Sequence, residues 1–437
     1  MTRQRDFKAL VRERMAKTGE RYSAARAQLL IKQTTRPPSS QPGVLRGYDR
    51  FGGVQAVTSA VANALRHAGI AFPITSSPYP EAMVNGFCGG PGFLYAVFEY
   101  KGWPPILSLA FQSRSMPDAY IAEGLDRLGV RIAQHETVSK VAAQKRLDEL
   151  ISNGTAAICV VDIASLPWYG LPKEFIGGGP HVVTVAGRRG NTYWLDDRVS
   201  YPVPVEREVL ANARAAYRKA KNRLATVEGA NSRVDLHRSI AAAIAATAKR
   251  YTEPAVPKSF WSNCGFSGLA KWRQLLTDRK DKKGWPMLFP DGARAYAGLQ
   301  RTYESIECHA APGAGRAFYA EFLESAASIL SRPALASAAS AYRTAAAEWS
   351  ALAGLIAHAP DKALREACVA ADRRLELGDG TDASAARGSV ERWARRIELA
   401  QECRLSKDDA LALYGEMAAV LDRISAAERA AVEVMRT

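Results

Sequence analysis

The residues best suited to chemistry are one histidine and two adjacent aspartates that flank a predicted turn. His181 opens an apolar run after three glycines and a proline, and Asp196 and Asp197 close the next apolar run. The intervening Gly187–Asn191 segment predicts a β-hairpin turn. A hairpin centred on Arg189 places His181 opposite Asp197, and a slip of one residue would offer Asp196 instead.

A carboxylate beside an imidazole fixes the tautomer of the ring and stabilises the imidazolium, as a general base next to a thiol requires. The glycines before His181 also keep side chains away from the approach to its ring. The alternative is structural: His181 only caps a strand, and Asp196 and Asp197 only end a hairpin at the surface.

Cys88, in the stretch MVNGFCGGPGFLYAVFEY, is the candidate nucleophile. The N–H groups of Gly89 and Gly90 could hold an oxyanion, and a nearby His181 would favour the reactive thiolate. An enzyme of this kind therefore predicts a lowered thiol pKa for Cys88. The competing interpretation is burial for packing alone, which is common for free cysteines.

Composition indicates a soluble globular protein of two domains and an extra segment, with 437 residues of which 47% are hydrophobic and 24% charged. The six cysteines are scattered without a C-x-x-C pair, and the six histidines show no H-E-x-x-H spacing. This pattern predicts reduced thiols and neither a metal nor a cofactor. Since no apolar run reaches the roughly 18 residues of a membrane span and the N-terminus has no apolar signal core, we expect a cytoplasmic protein.

Positive charge is concentrated at the N-terminus. The net charge is +15, and residues 1–36 contain ten Lys or Arg against three acidic residues. Apolar residues at helical spacing predict an amphipathic helix or helix pair over residues 5–31. Such an arm could be simply solvated, contact an acidic carrier protein or nucleic acid, or pair with its copy in a homodimer. The absence of interleaved aromatic residues disfavours nucleic acid.

The hydrophobic pattern changes twice along the chain. We expect helices over 52–69 and 140–154, and a buried strand containing Cys159 within 155–170. The later sequence is rich in alanine at helical spacing. These changes predict a basic helical arm and linker (1–45), an α/β or α+β domain (46–228) and an all-α domain (229–437).

The order of several segments resembles the N-terminal domain of the butirosin biosynthesis protein H family over about residues 48–225. The segments are GGVQAVTSAVANALRHAG, PEAMVNGFCGGPGFLYAVFEY, ICVVDIASLPWYG, GGGPHVVTVAG and YWLDDR. Within residues 281–325, DKKGWPMLFPDG, YESIE and RAFYAEFLESA resemble a helical domain of unknown function that often follows it. The resemblance implies a papain-like fold with a mixed or antiparallel sheet. It also implies acyl transfer from a carrier-protein thioester onto an amine.

The chain departs from the family pattern at the nucleophile. The resemblance assigns that role to a cysteine near the start of the first helix of the domain, where this sequence has Ala56. His181 and Asp197 carry over, whereas Thr58 and Ser59 are weaker substitutes for the missing thiol. The predicted pocket residues are Gln55, Thr58, Ser59, Gly89 and Gly90.

Three functional hypotheses follow. In the first, an acyltransferase-like or amide-forming enzyme of a natural-product pathway uses Cys88 to attack a thioester, His181 as base and Asp197 to orient His181. An acidic acyl carrier protein and a small amine or peptide would be its partners. In the second, the chain is a non-catalytic binding or scaffold protein that keeps the pocket. In the third, it is a cysteine hydrolase.

The predicted helical domain adds one further candidate. Tyr303, Glu304 and Glu307 could line a groove facing the first domain, or they could form an interdomain packing surface.

Overall fold

The structure is a computed structural model that describes residues 2–32, 42–101, 104–112, 117–199, 201–231, 234–378 and 383–437. Most of the predicted linker therefore lies outside the described residues.

The first part of the chain is built on a six-stranded antiparallel sheet with the order β5-β10-β6-β7-β8-β9. Two further pairs, β1-β2 and β3-β4, form separate two-stranded ribbons. The strands are β1 (Ala71–Phe72), β2 (Ser77–Pro78), β3 (Pro91–Phe98), β4 (Ile106–Gln112), β5 (Val130–His135), β6 (Ala157–Asp162), β7 (Pro180–Arg189), β8 (Thr192–Asp196), β9 (Val203–Glu206) and β10 (Leu224–Ala230).

All described elements after β10 are helical. The α-helices are α1 (Thr2–Thr18), α2 (Tyr22–Lys32), α3 (Ala56–His67), α4 (Glu81–Phe87), α5 (Pro117–Arg127), α6 (Lys140–Ser152), α7 (Arg207–Ala216), α8 (Leu236–Arg250), α9 (Gly265–Thr277), α10 (Trp285–Leu288), α11 (Gly292–Glu304), α12 (Arg316–Ile329), α13 (Ala334–Ala357), α14 (Lys362–Gly378), α15 (Ala383–Glu402) and α16 (Lys407–Arg436). The predicted fold class, an α+β part followed by an all-α part, is confirmed.

The central strand β6 and helix α3 form the frame of the first domain. Every residue of β6 is buried, which agrees with its β-branched apolar sequence. Helix α3 buries most of its length and lies against β7, where the Thr184 hydroxyl donates a hydrogen bond to the Ala60 carbonyl at 3.3 Å. This packing fixes α3 against the strand that carries His181.

The predicted hairpin forms, but its predicted register is wrong. A hairpin centred on Arg189 would pair Thr184 with Trp194. In the structure Thr184 pairs with Asp196, two residues further along β8. The register shifts between Val185 and Gly187 because the Val44 backbone bridges to Gly187 at this point. A side chain at Gly187 would meet the Gly43 carbonyl oxygen at 2.1 Å, so only glycine allows this approach.

A buried ion pair of the helical part lies where this part meets the β3-β4 ribbon. Arg316 of α12 and Glu428 of α16 are both fully buried, with Nε and Oε1 2.8 Å apart. The Arg316 guanidinium also donates to the carbonyls of Gly92 and Phe111, on β3 and β4. The β3-β4 ribbon is thereby held against the helical domain.

The predicted arm is a helix pair, α1 and α2. Val11, Tyr22 and Ala25 are buried, and they pack against residues of both domains. The arm therefore lies on the body of the protein rather than in solvent.

Breaking the buried ion pair should strongly destabilise the protein. Glu428→Gln leaves the Arg316 charge buried without a countercharge, and we expect a loss of about 3–5 kcal/mol in the free energy of unfolding. Urea denaturation measures this loss. The control is Asp422→Asn, which breaks the exposed pair with Arg273 and should change stability little. Equal effects of the two substitutions would contradict the assigned role of the buried pair.

Candidate functional site

The loop before β7 determines the position of His181. Asp162, at the end of β6, accepts hydrogen bonds from the backbone N–H of Ser165 at 3.0 Å and of Gly177 at 2.9 Å. Ile163 N–H donates to the carbonyl of Gly179 at 2.9 Å. One buried carboxylate thus ties both ends of the loop together, so that His181 enters the sheet in a fixed position.

His181 and Asp197 are in direct contact. His181 Nε2 lies 2.8 Å from Asp197 Oδ1, and both side chains are buried. The Tyr169 hydroxyl lies 3.1 Å from the same histidine nitrogen and about equally far from both Asp197 oxygens. Trp168 Nε1 donates to Asp197 Oδ2 at 2.8 Å. Asp197 follows β8 directly, outside the ladder, so the contact forms despite the corrected register.

These contacts set the electrostatics of the pair. Burial alone would raise the pKa of Asp197, but the His181 charge and the hydrogen bonds from His181 and Trp168 outweigh it and lower that pKa. Burial and the Asp197 charge raise the pKa of Tyr169 well above its ordinary value, which keeps the hydroxyl protonated. Among the described residues none is hydrogen-bonded to His181 Nδ1, the nitrogen that would act on a bound molecule.

Asp196 binds residues other than His181, so the alternative pairing of Asp196 with His181 is wrong. Its carboxylate accepts hydrogen bonds from Tyr48 Oη at 2.6 Å, Gly52 N at 2.6 Å and Asn63 Nδ2 at 2.8 Å. Burial raises its pKa to about 6 despite these donors. Asp196 fastens the segment before α3, and α3 itself, to the sheet.

Helix α3 begins at Ala56, the position that the family resemblance assigns to the nucleophile. The preceding Gln55 is the N-cap residue, and its amide nitrogen donates to the Ala310 carbonyl at 2.7 Å. Gln55 Oε1 accepts from Asn85 at 3.0 Å and Gln112 at 3.2 Å. Ala56 is half-buried, so this position remains accessible in part.

Neither predicted hydroxyl substitute is available for attack. Thr58 donates its hydroxyl hydrogen to Glu81 Oε1 at 2.7 Å, and Ser59 donates to the Ala56 carbonyl at 3.2 Å. Both side chains are almost fully buried. Glu81 also accepts from the backbone N–H of Val54 and Gln55, both at 2.9 Å, and so stabilises the start of α3.

Cys88 lies in the hydrophobic core and has no contact with His181 among the hydrogen bonds described. It is 1% exposed at the end of α4, and a side chain at Gly124 of α5 would meet its Sγ at 2.3 Å. Burial raises its thiol pKa to about 12, although Arg127 acts in the opposite direction. The predicted lowering of this pKa is therefore wrong, because apolar packing opposes formation of the thiolate.

The predicted oxyanion donors are also occupied. Gly89 N–H donates to the Gly86 carbonyl and Gly90 N–H to the Asn85 carbonyl, both at 3.1 Å. Both glycines have positive φ, as expected where a chain leaves a helix. A side chain at Gly90 would meet the Tyr319 ring at 2.4 Å. The turn is thus a helix end packed against the helical domain, and both N–H groups are bonded to carbonyls of the preceding helix.

The helical domain closes over the site through the segment 305–315. Arg198, next to Asp197, donates to the Cys308 carbonyl at 2.8 Å, and Gln55 binds the Ala310 carbonyl. The hydroxyl of Tyr303 donates to Asp372 of α14 at 2.9 Å.

Sequence reasoning missed Trp168, Tyr169 and Glu81. The aromatic pair in LPWYG, placed between two buried strands and before a glycine, was a usable signal for the first two. Glu81 gave no signal, since its partners lie at least 23 positions away.

Comparison with known proteins agrees with the resemblance seen in the sequence. Residues 55–198 match the family model described as butirosin biosynthesis protein H, N-terminal, and residues 208–378 match the model described as Domain of unknown function (DUF4872). No curated protein matches the chain. Among the described helices none is long and apolar enough to cross a membrane. The described residues contain no group of three or more His, Cys, Asp or Glu side chains placed to hold a metal ion.

The native cysteines should resist alkylation. The Cys88 thiol, whose pKa is about 12, carries on the order of a thousandfold less thiolate at neutral pH than an ordinary cysteine. The other five cysteines are buried as well. We expect iodoacetamide to label the folded protein very slowly. After unfolding in guanidinium, it should label all six thiols. Mass spectrometry of the labelled chain measures this difference. Rapid labelling of Cys88 in the folded protein would contradict the assigned burial.

Glu321 should make stability depend on pH. Burial raises its pKa from 4.5 to about 7, so the unfolded chain loses this proton at lower pH than the folded one. Ionisation of Glu321 therefore costs the folded state stability as pH rises from about 4.5 to 7. Glu321→Gln removes this cost, and we expect it to raise the Tm at pH 8 but hardly at pH 4.5. Thermal unfolding at the two pH values measures the effect.

The matched control for this prediction is Glu324→Gln, because the Glu324 carboxylate is exposed and paired with Arg343. An equal rise in the Tm at pH 8 for Glu321→Gln and Glu324→Gln would contradict a specific role of Glu321.

Proposed function

Since the chain carries the butirosin biosynthesis protein H N-terminal domain, we propose that it binds an acylated carrier arm, an amine or a peptide without forming a covalent intermediate. The family is named for a biosynthetic protein, and the match indicates a protein of a biosynthetic pathway. In this proposal the chain serves a natural-product pathway as a recognition or scaffold component.

The observation that carries the proposal concerns the four candidate positions, none of which offers an available nucleophile in the described part of the chain. Ala56 occupies the start of α3, and a methyl group can neither attack a thioester nor carry an acyl group. Cys88 is buried with a raised pKa, and the hydroxyls of Thr58 and Ser59 are hydrogen-bonded within the protein. Covalent acyl transfer through any of these residues is therefore disfavoured.

The rest of the site is built for recognition. Asp197, Tyr169 and Trp168 hold the His181 ring in one orientation, and Gln55 is fixed by three hydrogen bonds. Polar side chains fixed in advance lose little entropy when they bind a ligand. The fixed positions of His181 and Gln55 therefore support the proposal that the site still binds a ligand although the family nucleophile is missing.

A partner of opposite charge is consistent with the composition. A net charge of +15 favours association with acidic molecules, and an acidic carrier protein remains our proposed partner.

A second candidate function is direct acyl transfer with His181 as general base, and the unbonded Nδ1 favours it. The amine would attack the thioester carbonyl and give its proton to Nδ1 of His181, the C–S bond would break, and the leaving thiolate would take that proton. No acyl-enzyme is needed. Amide formation from an acyl-pantetheine and an amine, lost in His181→Gln, would favour this candidate over binding alone.

Restoring a thiol tests whether the family site is retained. If the site is retained, His181 lies beside the introduced thiol of Ala56→Cys and lowers its pKa, so we expect iodoacetamide to label this thiol at neutral pH at least about tenfold faster than any native cysteine. The pH dependence of the labelling rate measures the pKa.

The control is the double variant Ala56→Cys/His181→Ala, in which the labelling should slow and the pKa should rise. If the introduced thiol titrates as an ordinary cysteine in both variants, His181 does not serve this position and the proposal of a retained site fails. Binding itself is measured by the rise in Tm with an acyl-pantetheine or an amine.

A further inference from the structure

The N-terminal arm covers the seam between the two domains. Val11, Tyr22 and Ala25 form one apolar cluster with Val54 and Ala82 of the first domain and with Ala311 and Phe318 of the helical domain. The three arm residues are at most 4% exposed. The arm thus fills an apolar groove that both domains line.

Polar contacts place the same arm beside the candidate site. Arg26 of α2 donates to the Arg198 carbonyl at 2.7 Å, and Arg198 is next to Asp197 in the chain. Arg21 lies over the Tyr303 ring at 5.2 Å, on the helical domain. Since Val54 is two residues before Ala56, the arm borders the site at the start of α3 and again at Asp197.

We infer that the groove lined by Val54, Ala82, Ala311 and Phe318 is the entrance of the candidate site, that it accepts the apolar part of a ligand, and that the arm is a removable cover seated in it. The lining is apolar, so it suits a hydrocarbon chain better than a charged group. Buried side chains of the arm occupy the groove.

Two features make the arm separable from the rest of the protein. Its apolar cluster is distinct from the large core cluster that contains α3, α4 and the C-terminal helices. The arm also precedes both family matches, the first of which begins at residue 55. Release of the arm should therefore leave the main core folded, as a local opening does.

This inference deepens the proposed function, because it names the gate and the ligand class of the same site. The test uses Ala56→Cys as a reporter and iodoacetamide as a probe, so it does not depend on identifying a ligand. Ala25→Arg places a long charged side chain where a fully buried alanine sits, and Ala16→Arg adds the same side chain at an exposed position of α1.

We expect Ala25→Arg to raise the labelling rate of the reporter thiol by about tenfold or more, as expected when a local opening becomes dominant. Ala16→Arg should leave the rate unchanged. Hydrogen exchange should show lost protection in residues 22–29 of the first variant, with unchanged protection in α13 and α16. The pKa of the reporter thiol, measured separately, reports on the retained site and not on the cover.

Two outcomes would overturn the inference. In one, exchange shows that the arm is released but the labelling rate of the reporter thiol does not change, so the arm does not cover the site. In the other, residues 22–29 stay protected in Ala25→Arg and also in Tyr22→Asp/Ala25→Arg, or α13 and α16 lose protection with them. The arm would then be an integral part of the fold.

Discussion

The site depends on a buried guanidinium–carboxylate pair of the helical domain, whose arginine also binds two strands of the first domain. Taking Arg316 and Glu428 out of water is costly, and the cost is offset only if every donor and acceptor is well placed. Arg316 is well placed: besides Glu428 it binds the carbonyls of Gly92, Phe111 and Ala314, and it lies over the rings of Phe111 and Trp349. Glu428 is satisfied on one side only, because Oε1 accepts from Arg316 and Trp349 while Oε2 has no hydrogen-bond partner among the described residues. Such a pair specifies one docking of the helical domain, and that docking brings the segment 305–315 to the candidate site.

Within the first domain, two adjacent aspartates stabilise two different parts of the site. Asp196 holds Tyr48, Gly52 and Asn63, and so fixes α3 on the sheet. Asp197 holds His181, with Tyr169 and Trp168 as further donors. Neighbouring residues of an extended chain project in different directions, so one dipeptide can serve both the scaffold and the binding site. The His181 ring and the start of α3 are thereby tied to the same short stretch of backbone.

Much of this arrangement could be predicted from local pattern. The buried strand β6, the helix α3 and the hairpin of β7 and β8 follow from hydrophobic period and turn residues. The hairpin register could not be predicted, because it depends on the Gly43–Val44 backbone that bridges to Gly187 from more than a hundred residues away. Cys88 illustrates the same limit. Glycines beside a cysteine are equally compatible with an oxyanion site and with a helix end, and only the packing of Gly124 and Tyr319 distinguishes the two.

The proposed function requires that the site binds its ligand without forming an acyl-enzyme. The most direct test is intact-protein mass spectrometry of the unmodified chain after incubation with an acyl-pantetheine thioester, without an added amine. We expect the protein mass to stay unchanged at concentrations where the thioester raises the Tm. An increase by the mass of one acyl group, mapped to Cys88 or to any other residue of the site, would contradict it.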